Sequence, residues 1–459
     1  MEPGVGTIPE DTERVAAWDD ALRTHQKAAL EHAQSVREHF AQSKLTVLPT
    51  AGWPLRPLLV PAAVMDFVGR AIHQRFDAAR RTLLELCDDP DALAAAVPVR
   101  RDLLDHLDVK SGLQSPDFLA VVRPDGFLLD NGYLLTEINF GNGTLVSNAY
   151  SETLYDLFST SPVMKALGWN AAKDIRRPFP ATVDMLKKRL PKGRERHLVA
   201  LLAHHHEHGV ILGWEERVIQ QVYFAQRMLQ EQGIDTVLLH EDQMVVGDDG
   251  IARVKDGGRP LDAVMLITIG TSFMDEPELL TGSLKHVRGT RVGNVPLIKP
   301  LASLLMDKGT MPLMQETQQW PQTSESGFHF DLASTAFPSR EHAAEYRHNQ
   351  AAYVLKRAFD GKHTVIGCKA GGREWNKVLD DALRGQDYII QEYVPLPRTR
   401  MPISTDGKTI HWVDVRVEVS PFIIDGEYRG AIARYAPDAQ GLILSPPPPD
   451  MGMTIVYSV

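Results

Sequence analysis

The pattern of apolar and polar positions changes its period several times along the chain. Residues 12–45, which contain "AAWDDALRTHQKAALEHAQSVREHF", and residues 62–87, "DFVGRAIHQRFDAARRTLLELC" at their centre, place apolar side chains three and four apart. Each stretch predicts an amphipathic helix. A short period then takes over. "AVVR", "GFLL" and "YLLTEIN" are apolar strand pieces around Asp130-Asn131-Gly132, and those three residue types close hairpins. Helical spacing returns in "SNAYSETLYDLFSTSPVMKAL", and "NAAKDIRRPFPATVDML" reads as a linker.

Between residues 197 and 300 strands and a helix alternate. "HLVALLA", "IDTVLLH" and "LDAVMLITI" are strands of the buried type, and "GWEERVIQQVYFAQRMLQEQG" is an amphipathic helix ended by Gly233. Such alternation predicts a small parallel, doubly wound sheet. Beyond residue 300 the style is α+β. "LASLLMDKGTMPLMQ" reads as a helix carrying Lys308, and "AYVLKRAF" as a strand carrying Lys356. "TVIGCKAGGREWNKVLDDALRGQDYIIQEYVPLP" gives strand, loop, helix and strand, and "HWVDVRVEVSPFIIDGEYRGAIARYAP" a long hairpin. The expected organisation is a helical region over 1–115, a hairpin segment over 116–195, an α/β unit over 196–300 and an α+β region over 301–459.

Composition narrows the function classes. The 459 residues are 43% hydrophobic and 24% charged, a globular profile long enough for two or three domains. A formal net charge of −10 argues against nucleic-acid or membrane-surface partners, which favour basic patches. No apolar run is long enough to span a bilayer, and the acidic start "MEPGVGTIPEDTERVAAW" holds no hydrophobic signal region. Cys87 and Cys368 are too few and too far apart for a disulfide framework, so a cytoplasmic location is expected.

The hairpin carries the densest chemistry. If Asp130, Asn131 and Gly132 form its loop, Leu129 faces Tyr133, Asp125 faces Glu137 and Arg123 faces Asn139. Residues two apart share a face of a strand, so these four polar side chains point the same way. Opposed side chains lie about 4.5–5.5 Å apart at Cβ, where two carboxylates repel. A cation between them relieves that. Two carboxylates and an Asn carbonyl suit Mg²⁺, and Arg123 suits a phosphoryl or carboxylate group. The same string is also an ordinary surface turn: Pro124 weakens a strand, and a slip of one residue separates the pairs.

Other positions stay open. His204-His205-His206-Glu207-His208 follows the first strand of the α/β unit, but consecutive residues do not all aim at one ion. Strand-end loops are often polar, and a substrate or nucleotide contact fits the cluster a little better than a metal. Asn142 and Asn148 either meet a substrate or turn the chain. Arg416 and Arg434 either contact phosphate or acyl groups, or pair across strands with Asp414, Glu418 or Glu427. Lys308 is alternatively a solvated lysine at a helix end. Lys356 lies in so apolar a strand that it needs a partner.

The last third resembles an ATP-grasp fold. Met306-Asp307-Lys308 and Val354-Leu355-Lys356-Arg357 resemble the two lysine contexts of that family, and "IIQEYVP" resembles its hinge strand. The resemblance implies that Lys308 and Lys356 contact phosphates or adenine and that Gln391, Glu392, Tyr393 and Val394 border the adenine. In the usual order Arg-x-Asp and Glu-x-Asn come last. Here they precede the lysines, an order that resembles the circularly permuted branch of glutathionylspermidine-synthetase-like amide ligases. By that resemblance Asp125, Glu137 and Asn139 hold Mg²⁺, Arg123 stabilises the transferring phosphoryl group, and Arg434 contacts a phosphate or acyl group. The family's glycine-rich flap has no obvious counterpart: Gly361, or Gly371 and Gly372, stand near its place, beside Lys369.

The resemblance further implies a carboxylate–amine ligase that uses ATP and Mg²⁺, activates a carboxylate as an acyl phosphate and releases ADP and phosphate. Its partners are then small molecules, an amino acid, peptide or polyamine among them, and peptide or natural-product tailoring is one setting. The alternatives are a phosphotransferase acting on a hydroxyl and a nucleotide-binding protein without turnover. A homodimer is the assembly such a chain most commonly forms.

Overall fold

The computed structural model describes residues 6–42, 52–97, 99, 101–139, 143–170, 175–203, 212–255, 258–266, 285–316, 323–358, 364–385, 388–437 and 451–459. The histidine cluster at 204–208, Asn142 and Gly361 lie outside them. Strands are numbered along the chain. They run β1 (Trp53–Pro54), β2 (Leu58–Val60), β3 (Val121–Leu129), β4 (Gly132–Asn139), β5 (His197–Ala203), β6 (Ile234–His240), β7 (Met244–Val246), β8 (Ala252–Val254) and β9 (Ala263–Leu266). Next come β10 (Val287–Arg288), β11 (Arg291–Val292), β12 (Val295–Ile298), β13 (His329–Leu332), β14 (Thr335–Ala336), β15 (Tyr353–Arg357) and β16 (Thr364–Ile366). The last are β17 (Tyr388–Glu392), β18 (Arg398–Ser404), β19 (His411–Ile424), β20 (Glu427–Pro437) and β21 (Gly452–Ser458).

Three sheets organise the molecule, with β7 and β8 as a small separate ribbon. A nine-stranded sheet runs β13-β4-β3-β19-β20-β21-β2, with β18 also on β19 and β1 on β18. A six-stranded sheet runs β10-β11-β12-β9-β5-β6, in which β12, β9, β5 and β6 are parallel. That is the α/β unit expected from residues 197–300, and its helix Leu212–Glu231 is followed by Gly233 at φ 81°. An antiparallel four-stranded sheet runs β14-β17-β15-β16.

The helix Ala62–Leu86 forms as its spacing requires. Met65, Val68, Ile72, Phe76, Ala79 and Leu83 recur every three or four residues, and all are buried. The β19–β20 turn, Asp425-Gly426, has positive φ at both residues (49° and 80°), the twist that hairpins prefer.

Three expected elements need correction. Of the expected helix at 12–45, residues 12–42 form two helices, Thr12–Thr24 and Gln26–Gln42, interrupted at His25, where ψ is 27°. The Thr24 hydroxyl there donates back to the Asp20 carbonyl, a bond of the kind that bends helices. The expected linker contains a helix, Pro178–Arg189, which Pro178 opens at a position where its missing N–H costs nothing. The expected helix at 301–315 is instead two 3₁₀ turns, Leu301–Leu305 and Lys308–Thr310, and a short helix, Met311–Glu316. Asp307 makes the break, because its carboxylate accepts from the Lys308 N–H at 2.7 Å and caps a new turn.

Candidate functional site

β3 and β4 form the hairpin with Arg123 opposite Asn139 and Asp125 opposite Glu137. The expected pairs are present, but the route to them differs. The loop is two residues, Asp130 and Asn131, so Leu129 faces Gly132 and Leu128 faces Tyr133. A bulge between Asp125 and Gly126 then adds one residue, Thr136, to β4 and restores the pairing beyond it. The Thr136 hydroxyl donates to the Asp125 carbonyl at 3.2 Å.

β19 runs antiparallel beside β3, with Val419 opposite Gly126. It brings in two residues that the sequence did not single out for this site, Glu418 and Ser420. Ser420 Oγ donates to Asp125 Oδ1 at 2.6 Å. Asn139 Nδ2 donates to Asp125 Oδ2 at 2.7 Å, and Arg434 Nη2 donates to the same oxygen at 2.6 Å. Arg434, opposite Glu418 on β20, also reaches Glu418 Oε2 at 2.8 Å. The cross-strand pairing considered for Arg434 therefore exists, with Glu418 as partner. Arg416 instead faces Arg398 and Ala436. Arg123 Nε lies 3.6 Å from Asp125 Oδ1.

The lysines arrive from the other side. Lys356 on β15 is buried, and its Nζ donates to the bulge carbonyl of Thr136 at 2.9 Å. Lys308, on its own 3₁₀ turn and also buried, holds Nζ 3.5 Å from Glu137 Oε1. Residues about 170 and 220 positions away in sequence therefore meet the hairpin, one from a 3₁₀ turn and one from the sheet β14-β17-β15-β16. Four cations, Arg123, Arg434, Lys308 and Lys356, face three carboxylates, Asp125, Glu137 and Glu418.

Electrostatics differ between the carboxylates. Burial pushes Asp125 up, but Arg434, Arg123 and the Ser420 hydroxyl outweigh it, so its carboxyl is held below the usual range. Glu418 is pushed up to about 7 by burial, assisted by Asp125 and Glu137 and opposed by Arg434. Burial lowers Lys356, partly offset by Glu137. Asp125 and Glu418 both reach Arg434, so two carboxylates converge on one cation, an arrangement that also suits a metal ion. Asn139 suits one too: with Nδ2 tied to Asp125, its Oδ1 is turned to other partners. Asp125 is the most committed of the three expected ligands, since both its oxygens accept hydrogen bonds. Among the described residues no three His, Cys, Asp or Glu side chains are arranged to hold an ion as they stand. Mg²⁺ commonly completes its shell with phosphate oxygens and water, so this donor set fits it in company with a nucleotide.

The expected adenine border begins at the end of β17, with Gln391 and Glu392, and continues past it through Tyr393 and Val394. Gln391 is buried and donates through Nε2 to Thr335 Oγ1 at 2.9 Å. The N–H groups of Glu392 and Tyr393 are donated to the Ser334 and Ala352 carbonyls, both at 2.8 Å. A base bound there has to use other groups of the 391–394 segment. Asn148 lies in the helix Gly143–Ser159, and its Nδ2 donates to Thr182 Oγ1 at 2.7 Å, a tie between two helices. Gly371 and Gly372 open the helix Gly372–Ala382. A cavity of about 960 Å³ lies at the far end of the β19–β20 hairpin, lined by Arg70, Arg176, Lys187, Asp425 and Tyr428 among others, and holds none of the expected site residues.

No protein-family signature and no curated protein matches the sequence. Among solved structures, a glutathione synthetase-like effector from Globodera pallida, in its apo form, is similar over 94% of this chain and 97% of its own, at 13% identity and a TM-score of 0.53. D-alanyl-alanine synthetase A from Vibrio cholerae is similar over 58% of this chain and 89% of its own, at 10% identity and a TM-score of 0.31, too loose a match to bear on the site. The structure is therefore a mixed α/β architecture with a fold similar to that of the effector, a protein of the ATP-grasp type. Among the described residues no helix is long and apolar enough to cross a membrane.

Proposed function

We propose that the protein is an ATP-dependent carboxylate–amine ligase of circularly permuted ATP-grasp order, working through an acyl phosphate. The observation that carries this reading is the meeting of Lys308 and Lys356 with the Arg-x-Asp and Glu-x-Asn pairs of the hairpin. Permuted order also accounts for a hairpin at residues 121–139 lying beside β19, whose residues come almost 300 positions later.

In this reading Lys308 and Lys356 receive the phosphates as point charges. Arg434 and Arg123 stabilise charge on the γ-phosphoryl group as it transfers. Glu137, Asn139 and Asp125 would hold Mg²⁺, which when bound neutralises phosphate charge. A substrate carboxylate oxygen attacks the γ-phosphorus, the bond to the β-phosphate oxygen breaks, and ADP leaves. An amine then attacks the acyl carbon, loses a proton, and phosphate departs. Positioning and charge complementarity supply most of the acceleration. The substrates are small carboxylates and amines, such as amino acids, peptides or polyamines, and the setting is cytoplasmic.

The test is ADP release with ATP and Mg²⁺ across pools of amino acids, short peptides and polyamines, with hydroxylamine present. Substrate-dependent ADP with a hydroxamate supports the ligase. ADP without a hydroxamate points to phosphoryl transfer to a hydroxyl or to water. Absence of both ADP formation and ATP binding overturns the reading.

A further inference from the structure

Arg434 sits between two acids of the site. A single nitrogen, Nη2, lies 2.6 Å from Asp125 Oδ2 and 2.8 Å from Glu418 Oε2, so one guanidinium corner bridges carboxylates from β3 and β19. Its Nε is buried and has no hydrogen-bond partner among the described residues. Arg177 makes a similar bridge between Glu152 and Asp156, but Arg434 makes it beside the Arg-x-Asp and Glu-x-Asn pairs of the hairpin.

We propose that Glu418 is a further ligand for the divalent cation and that the Arg434 guanidinium is a stand-in for that cation, displaced when it binds. The inference rests on the reading of this site as an Mg²⁺–nucleotide site. It explains why the carboxylates are not yet arranged to hold an ion: the wedge keeps Asp125 and Glu418 apart. A cation with oxygens at about 2.0–2.1 Å draws them closer than Nη2 does. It also gives Glu418 a role that Asp125, with both oxygens committed, does not fill alone. Once released, Arg434 is free to turn to an incoming phosphate, so metal loading and arginine delivery become one event.

The test uses Mn²⁺ binding to the full chain without nucleotide or substrate, read as loss of the free-ion resonance. Removing the guanidinium removes the positive charge that competes with the cation for Asp125 and Glu418. Arg434→Met is therefore expected to bind Mn²⁺ at least tenfold more tightly than the wild type. Arg434→Lys keeps a charge but does not bridge both acids, so it also binds more tightly, by less. Adding Glu418→Gln to Arg434→Met is expected to erase most of the gain. If Arg434→Met does not fold, Arg434→Lys decides alone. Mn²⁺ affinity unchanged or weaker in the arginine variants overturns the proposal, as does a full gain that survives Glu418→Gln. Neither result touches the hydroxamate assay, so failure of the ligase reading and failure of the displacement are separately visible.

Discussion

Lys299 illustrates how one residue couples local strain to solution behaviour. It is buried at the end of β12 with φ 72°, and its Nζ donates to the Val121 carbonyl at 3.0 Å, fixing the start of β3. Burial lowers its pKa well below 10.5. Between that lowered value and 10.5 the unfolded chain holds a proton that the folded chain does not, so stability rises with pH across this window and falls as pH drops through it. The slope reaches about 1.4 kcal/mol per pH unit for one such group. Wild-type stability relative to Lys299→Met should therefore increase between pH 8 and 10, as measured by urea unfolding. A difference independent of pH would mean that Lys299 titrates alike in both states. At this scale the sequence was informative where a charge sat in an apolar run, as with Lys356. It was silent on Glu418 as a site residue, because only its strand neighbours reveal what a glutamate faces.

Elements depend on more than their apolar period. The hairpin pairs Asp125 with Glu137 and Arg123 with Asn139, and this much was legible, because a loop of three residues and a loop of two plus a bulge of one give the same register beyond the bulge. The bulge itself had no signal except Gly126. A Cβ there would sit 2.5 Å from the Leu134 carbonyl oxygen and 2.6 Å from the Tyr133 ring, whose hydroxyl donates to Val419. Backbone on one side and a buried ring on the other leave no room to yield. Gly126→Ala should cost about 1–3 kcal/mol in urea unfolding, as overpacked cores do. Because the bulge carbonyl of Thr136 is the acceptor of Lys356, the variant should also weaken ATP binding severalfold. Undiminished stability would show that the hairpin tolerates a regular register. Breaks such as Asp307 and His25 were hidden for a different reason: the apolar spacing continues through them, and only a side-chain bond to the backbone reveals the interruption.

The assembly of sheets is where sequence said least. Residue 126 lies opposite residue 419, and β21 joins the large sheet from the last residues described. No local pattern encodes such pairings, and only the resemblance to a family of permuted motif order suggested that the early hairpin belonged with the late lysines. Lys356 ties the four-stranded sheet to the hairpin at Thr136, Lys308 ties its 3₁₀ turn to Glu137, and a nucleotide bound there would take over both ammonium groups. A ligand that binds only the folded form stabilises it by about 2.7 kcal/mol at a hundredfold excess over its Kd. Mg²⁺–ATP should therefore raise the melting temperature of the wild type, and Lys308→Ala or Lys356→Ala should each reduce that shift by weakening ATP tenfold or more, about 1.4 kcal/mol. The two variants should differ without ligand. Lys356→Ala removes a buried ammonium whose charged state is already disfavoured, so its intrinsic loss is mainly of the hydrogen bond and packed stem. Lys308→Ala removes an equally buried stem and also leaves Glu137, the more exposed partner, without its ion-pair contact, so its loss combines packing with the ion pair. Equal ATP-induced shifts in wild type and both variants would separate the lysines from the nucleotide and leave them as ties to the hairpin.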